Sequence, residues 1–339
     1  MYPPDSKRTI GATGVEVSQL GFGAAALGNL YSAVDDDASL AAVVTALQEG
    51  LRYFDTAPFY GHGLSEQRLG RALGGLGRPP DRVTLSTKVG RLIIPDETGT
   101  QGTDGFVVSG HRAVFDYSRD GIMRSFESSL QRLGRDQVDI LLLHDVGRVT
   151  HGPLHEVRLK EALDEALPTM AHLKSSGACR AIGIGVNEEA VCLEIMQHFD
   201  LDCLLLAGRY TLLEQESVHG VMSEAVRRGV GILIGGPFNS GLLADARGPG
   251  KTYDYRPVEA RMLERARRIY AICASQNVDV GAAALQFVLA HPAVVSVVPG
   301  LRSKDEVLSA VTRLQARLPD TLWDALREAG LLLPEVPTP

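Results

Sequence analysis

Eight times along this chain an apolar run that reads as a strand is followed by an amphipathic run that reads as a helix, with no gap between units for a domain linker. The strand-like runs are residues 19–25, 53–57, 83–89, 138–144, 179–186, 202–207, 231–235 and 294–299. The helical runs are 38–50, 65–73, 121–134, 159–176, 188–199, 215–228, a pair at 258–276 and 280–291, and 304–314. Strands such as Ile140-Leu141-Leu142-Leu143 are apolar at consecutive positions, the pattern of a strand covered on both faces. A helix after every strand makes the strands parallel. Eight such units predict an α/β fold, a (β/α)8 TIM barrel, as a single domain over residues 1–339. Short alternating runs over residues 9–20, broken by Gly11 and Gly14, predict a β-hairpin ahead of the first unit. The competing doubly wound sheet needs a GxGxxG turn, and Gly21-Phe22-Gly23-Ala24-Ala25-Ala26 supplies only its first two glycines.

With 339 residues, 45% of them hydrophobic, the chain can bury a large core. A formal net charge of -7 argues against nucleic acid or an anionic membrane as partner. No apolar run approaches the ~20 residues of a membrane span, and the polar residues 1–9 do not read as a signal peptide. Cys179, Cys192, Cys203 and Cys273 show no CxxC spacing and are expected to be reduced core thiols of a cytoplasmic protein. His151 and His155 stand four apart, but Pro153 lies between them and no third ligand is evident, so no metal site is expected.

In a parallel barrel the chemistry gathers at the carboxyl ends of the strands. Asp55 lies at such an end, since Pro58 stops the strand, and Tyr60 sits in the loop just beyond. Lys88 closes the run from Val83, and His144 closes the run from Asp139. Neighbouring strands are ~4.8 Å apart, so these four side chains can converge. Taken singly, Asp55 reads as a loop carboxylate, Tyr60 as a wall residue, Lys88 as a solvent charge and His144 as a core histidine. A lysine and a histidine that both end strongly apolar strands carry more weight together. A tyrosine titrates near ~10, and a buried ammonium beside it is expected to lower that value, with Asp55 keeping the lysine charged. A neutral His144 would hold a substrate oxygen in line. Such a proton relay suits the interconversion of carbonyl and alcohol. It lacks a hydride carrier, which implies a nicotinamide cofactor. The long connections 91–119, 145–158 and 238–257 are expected to wall a substrate pocket and to cover that cofactor. Gly235-Gly236-Pro237 and Asn239-Ser240-Gly241 could turn backbone N–H groups toward a pyrophosphate.

Asp55-Thr56-Ala57 leading to Tyr60-Gly61, Ser65-Glu66, Ser86-Thr87-Lys88 and Leu143-His144 resemble the motifs of the aldo-keto reductases, and the resemblance covers nearly the whole chain. It implies Tyr60 as general acid/base, Lys88 and Asp55 as its tuners and His144 as substrate orienter. It also implies NAD or NADP across the barrel mouth and a hairpin plugging the floor. The implied cofactor contacts are Gly23, Ala24, Asp55, Asn187, Gly235, Gly236, Pro237, Phe238, Ser240, Gly241, Pro299, Gly300, Leu301, Arg302 and Glu306.

Phe115 to Gly121, Ser129 to Gly134, His144-Asp145, Gly185 to Glu188 and Ala207 to Gln215 are similar to the sugar-oxidising branch of that family. That branch implies oxidation of a ring hemiacetal to a lactone with Tyr60 as base. The implied substrate is an aldose of the L-fucose, L-galactose or D-arabinose type, or pyridoxal. The chain departs from the family pattern at Val186, Ala207 and Gly235, where a serine, a glutamine and a nicotinamide-stacking aromatic are usual. Gly300 and Glu306 stand where NADPH users carry basic residues; a carboxylate there favours NAD, while Arg302 and Lys304 leave NADP open. The rival expectations are an NADPH-dependent aldehyde or ketone reductase and a cofactor-binding regulatory subunit.

Overall fold

The computed structural model describes residues 2–75, 83–96, 104–245, 247–254 and 256–339. Fourteen strands follow in chain order among these residues. They are β1 (Lys7–Ile10), β2 (Val15–Ser18), β3 (Phe22–Gly23), β4 (Tyr53–Asp55), β5 (Thr84–Val89), β6 (Arg91–Pro95) and β7 (His111–Phe115), then β8 (Ile140–His144), β9 (Ala181–Val186), β10 (Cys203–Ala207), β11 (Gly231–Gly235), β12 (Thr252–Tyr253), β13 (Arg256–Pro257) and β14 (Val294–Val298). Eight of them form one sheet in the order β14-β11-β10-β9-β8-β5-β4-β3, and neighbours are parallel throughout. The two edges meet through parallel bridges, Leu20 to Val297 and Gly23 to Gly300, so the ring closes. Closure needs glycine at position 23, where a Cβ would meet the Pro299 carbonyl oxygen at 2.7 Å.

The interior of the ring is filled by Tyr53, Ile140, Leu142, Cys203, Leu205 and Leu233, packed with Ile10, Val15 and Val17 from the β1–β2 hairpin. Burying each of those three hairpin side chains is worth about 1.5–3 kcal/mol. Thr84 Oγ1 donates to the Glu16 carbonyl at 2.6 Å, and Ser18 Oγ accepts from the Arg52 and Tyr53 amides at 3.0 and 3.1 Å. These partners sit where β4 and β5 begin. The hairpin therefore stoppers the amino-terminal end of the barrel and leaves the carboxyl-terminal rim open.

Several boundaries differ from the sequence reading for local reasons. The helical run 159–176 divides at a π-helical turn, Ala162–Ala166, before the helix Leu167–Ser175. Pro168 opens that last segment and has no N–H to continue the regular ladder. The run 215–228 divides at Gly220 into the turn Glu216–His219 and the helix Val221–Arg228. A Cβ on Gly220 would strike the Glu189 carboxylate, which instead caps the second segment by accepting from the Val221 amide at 2.8 Å. The helix Asp320–Glu328, absent from the sequence reading, buries Leu322, Trp323 and Leu326. The connection 91–119 holds the antiparallel β6–β7 pair; its residues 97–103 lie outside the described residues.

Candidate active site

Strand ends supply the polar side chains at the open rim. Asp55 is the last residue of β4, Lys88 the next to last of β5 and His144 the last of β8. Side chains alternate along a strand. Lys88 thus points into the ring, while its neighbour Thr87 points outward and donates to Glu66 Oε1 at 2.6 Å. Only 1% of Lys88 is exposed, and its stem passes Gly185, where a Cβ would approach it to 3.2 Å.

The Lys88 ammonium spends its three donors inside the site. It reaches Asp55 Oδ2 at 2.8 Å, the Thr56 carbonyl at 2.9 Å and the Tyr60 hydroxyl at 3.1 Å. Ser86 Oγ donates to Asp55 Oδ1 at 2.6 Å. With its proton so used, Ser86 accepts from the Tyr53 hydroxyl at 3.0 Å. Both oxygens of Asp55 are therefore occupied. The loop carrying Tyr60 is set by a backbone contact, since a Cβ on Gly28 would meet the Tyr60 carbonyl carbon at 2.5 Å and the Gly61 nitrogen at 2.6 Å. The rings of Tyr60 and His144 meet edge to face with centroids 5.9 Å apart, and Phe106 lies 6.1 Å from Tyr60 on another side.

Burial by itself would push the Lys88 ammonium down, but Asp55 and the Tyr60 phenol together outweigh it and hold the lysine above its ordinary value. His144 is well below the usual histidine range, first through burial and then through the Arg91 and Lys88 cations, so its ring is neutral at neutral pH. For Tyr60 the expected direction is reversed. Burial raises the phenol by more than Lys88 lowers it, and Asp55 adds to the rise. Tyr60 is half-buried as a residue, yet its hydroxyl end stands deep against Lys88.

Residues 19–330 match the sequence profile of the Aldo/keto reductase family. The chain belongs to that family. It is an NAD(P)-dependent oxidoreductase of the aldo-keto reductase type, with a small carbonyl or sugar compound as substrate. It is similar to pyridoxal 4-dehydrogenase from Microbacterium luteolum, 40% identical with 96% of this chain and 98% of that one covered. It is also similar to D-threo-aldose 1-dehydrogenase from a Pseudomonas species, 38% identical with 97% of each chain covered. Among solved structures it resembles an aldo-keto reductase from Bacillus halodurans in its holo form, with a TM-score of 0.73 and 26% identity over 98% of this chain and 97% of that one.

Two clefts of this aldo-keto reductase meet at Tyr60 and Asn187. One runs over the ends of β3, β10, β11 and β14 and is lined by Gly23, Asp55, Asn187, Gly235, Gly236, Pro237, Phe238, Ser240, Gly241, Gly300, Arg302 and Glu306. The shape and polar lining fit a dinucleotide: the lining is rich in glycine, and the acceptor oxygen Asn239 Oδ1 is buried there with no partner among the described residues. Ala24, Pro299 and Leu301 stand behind that wall. The Ala24 carbonyl accepts from Ser65 Oγ at 2.7 Å, the Pro299 carbonyl accepts from the Gly23 amide at 2.9 Å, and the Leu301 side chain packs in the core. Their neighbours Ala25, Ala26 and Val298 line the cleft instead. Asp254 lines it too, paired to Arg209 at 2.5 Å. The signal for Arg209 is its place two residues after β10, in the stretch already singled out by resemblance.

The second cleft is lined by Phe59, Tyr60, Lys88, Asp104, Phe106, His144 and Asp145, with Asn187 and Ala207 at its junction with the first. Arg91, given no role from sequence, opens β6 with only Gly90 between it and β5, and pairs with Asp145. Its guanidinium carbon sits 3.9 Å from the Phe59 ring centroid and 4.3 Å from that of Phe115.

Proposed function

We propose that this protein is a dehydrogenase that oxidises the C1 hemiacetal of an aldose, of the L-fucose, L-galactose or D-arabinose type, or the hemiacetal of pyridoxal, to a lactone. The observation that carries the proposal is the Lys88 ammonium held between Asp55 and the Tyr60 hydroxyl at the junction of the two clefts. The likeness to a pyridoxal 4-dehydrogenase and an aldose 1-dehydrogenase supports the substrate class.

In this reading a bound nicotinamide cofactor supplies the acceptor for the hydride that leaves C1. Tyr60, ionised to the phenolate that Lys88 stabilises at contact distance, removes the proton of the anomeric hydroxyl as general base and becomes the neutral phenol. Asp55 keeps Lys88 charged through that change. Neutral His144 donates from Nε2 to the reacting oxygen and keeps it in line with Tyr60. Asn187, the glycines at 23, 235, 236, 241 and 300, Pro237, Phe238 and Ser240 hold the dinucleotide along its cleft.

The preferred cofactor is NAD. Arg302 is already engaged, with its Nε 2.8 Å from Glu306 Oε1 and its amide 2.9 Å from Glu306 Oε2. That carboxylate would repel a 2′-phosphate. Four buried, unbridged cysteines support a reducing, cytoplasmic setting.

Incubation with NAD and L-fucose, L-galactose, D-arabinose or pyridoxal should yield reduced nicotinamide from at least one of them. Absence of product from all four defeats the lactone-forming reading. A reductive reading draws on a different observation, the raised value of the Tyr60 phenol, because reduction needs that group protonated. Turnover of simple aldehydes with NADH faster than any oxidation in the panel would favour it.

A further inference from the structure

Three carboxylates stand in or under the substrate cleft, and one of them keeps an oxygen open to a ligand. Asp55 gives Oδ1 to Ser86 and Oδ2 to Lys88. Asp104 gives Oδ2 to His62 Nε2 at 2.8 Å and Oδ1 to the Phe106 amide at 3.2 Å. Asp145 gives Oδ2 to Arg91, and the same oxygen lies 3.5 Å from His144 Nε2. Among the described residues nothing hydrogen-bonds to its Oδ1, and Asp145 lines the cleft next to His144.

Asp145 is held in place. Its backbone sits in the left-handed region at φ 53°, which aspartate adopts more readily than most residues. Its amide donates to the Gly185 carbonyl at 2.9 Å. The guanidinium that grips its side chain is itself clamped between Phe59 and Phe115, an arrangement that adds cation–π attraction to the ion pair. A carboxylate fixed this way needs little ordering when a ligand arrives.

We propose that Asp145 is a specificity-determining residue whose open carboxylate oxygen accepts a hydrogen bond from a hydroxyl on the carbon next to the reacting carbon. The reacting oxygen is placed by Tyr60 and His144, and the Asp145 carboxylate comes to 3.5 Å from His144 Nε2 at its Oδ2, with the open Oδ1 on the same group. Oxygens on adjacent carbons of a sugar stand about as far apart as a hydrogen-bonded pair, so the neighbouring hydroxyl falls at Asp145. The bond is charge-assisted, and a substrate without that hydroxyl leaves one oxygen of a part-buried carboxylate unanswered. The site thereby selects α-hydroxylated substrates, aldoses above all, over plain aldehydes. The inference rests on the carbonyl–alcohol reading of the same site and narrows it.

The test compares substrate pairs that differ only in this hydroxyl, in both directions. D-arabinose is set against 2-deoxy-D-ribose with NAD, or the best sugar of the panel against its 2-deoxy form, and lactaldehyde against propanal with NADH. The hydroxylated member should have a kcat/KM roughly 10- to 100-fold higher. In Asp145→Asn the amide oxygen turns to Arg91 and presents N–H to the cleft, and in Asp145→Ala nothing remains to accept. Both ratios should then fall to about one. NADH binding, followed by fluorescence titration, should persist, since Asp145 does not line the dinucleotide cleft. Ratios near one in the parent protein, or ratios that survive both substitutions, overturn the assignment. If no sugar is oxidised but the lactaldehyde preference exists and vanishes in the variants, the lactone-forming reading falls and the role of Asp145 stands.

Discussion

The Lys88 ammonium lies 3.1 Å from the Tyr60 hydroxyl, yet the phenol is harder to ionise than a tyrosine in water, because burial outweighs the neighbouring cation. Tyr60 is accordingly an acid at neutral pH in the free enzyme. Oxidation needs its phenolate, and below the raised pKa that fraction grows about tenfold per pH unit. Oxidation read as kcat/KM at limiting cofactor, where the profile reports the free enzyme, should climb with a slope near one from pH 6 to 9. Reduction, which uses the protonated phenol, should be flat over that range. Lys88→Met removes the cation, raises the phenol further and should lower oxidation at pH 8 by about 10-fold or more. A flat oxidative profile would show that some other group takes the proton.

Placing Tyr60 depends on a backbone contact rather than on its own side chain. A Cβ at Gly28 would sit 2.5 Å from the Tyr60 carbonyl carbon, and neither backbone has a flexible end that could yield. Gly28→Ala should push the loop, and the hydroxyl with it, away from Lys88. Misplacement on the order of 1 Å can cost about 100-fold in rate. The expected result is a kcat lowered by about that factor, with NADH affinity changed far less. Unaltered kcat would mean that the loop does not set the phenol.

How much of this was legible in the sequence depends on how local each signal is. Lys88 and His144 were visible because a charge or an imidazole at the end of an all-apolar run has few ordinary explanations. The barrel was visible because eight alternations repeat the same signal. The direction of the Tyr60 shift is not legible near Tyr60, because its burial has distant sources. Phe106 reaches the ring from a segment that pairs with residues 29–31, as in the Leu30–Phe106 bridge, and no pattern near Tyr60 announces it. At the barrel closure, one residue of register decides which side chain faces the cleft. Hence Ala25 and Val298 line it, while Ala24 and Pro299 stand behind. Arg91 carries no signal in the sequence, because a cation just beyond a strand looks like solvent charge until Phe59 and Phe115 close on it.

Glu66 offers a test of stability separate from catalysis. It is fully buried and takes Thr87 Oγ1 on one oxygen and Arg132 Nε on the other, both at 2.6 Å. This pair ties the outer face of β5 to the helix Arg119–Leu133, behind the strand that carries Lys88. Removing one partner of a buried ion pair typically costs about 3–5 kcal/mol, since the other charge is left unanswered. Glu66→Ala should lower the unfolding free energy from denaturant titration by about that much. A loss under about 1 kcal/mol would place the pair with ordinary surface salt bridges.

Cofactor choice should respond to Glu306, an acid that lines the dinucleotide cleft beside Arg302. Glu306 sits in the first turn of the Ser303-capped helix Lys304–Gln315, and its carboxylate accepts from both the amide and the Nε of Arg302. The same contact neutralises Arg302, which lines that cleft beside Glu306. Glu306→Gln keeps the shape and removes the charge, so Arg302 is freed for phosphate and the repulsion disappears. Because the pair is partly exposed, the gain is screened by solvent. The ratio of kcat/KM for NADP over NAD should rise by about 10-fold, most of it in KM, and should shrink again at high salt. A ratio unchanged by the substitution would mean that the adenosine end of the cofactor lies away from Glu306, and the proposed preference for NAD would lose its support.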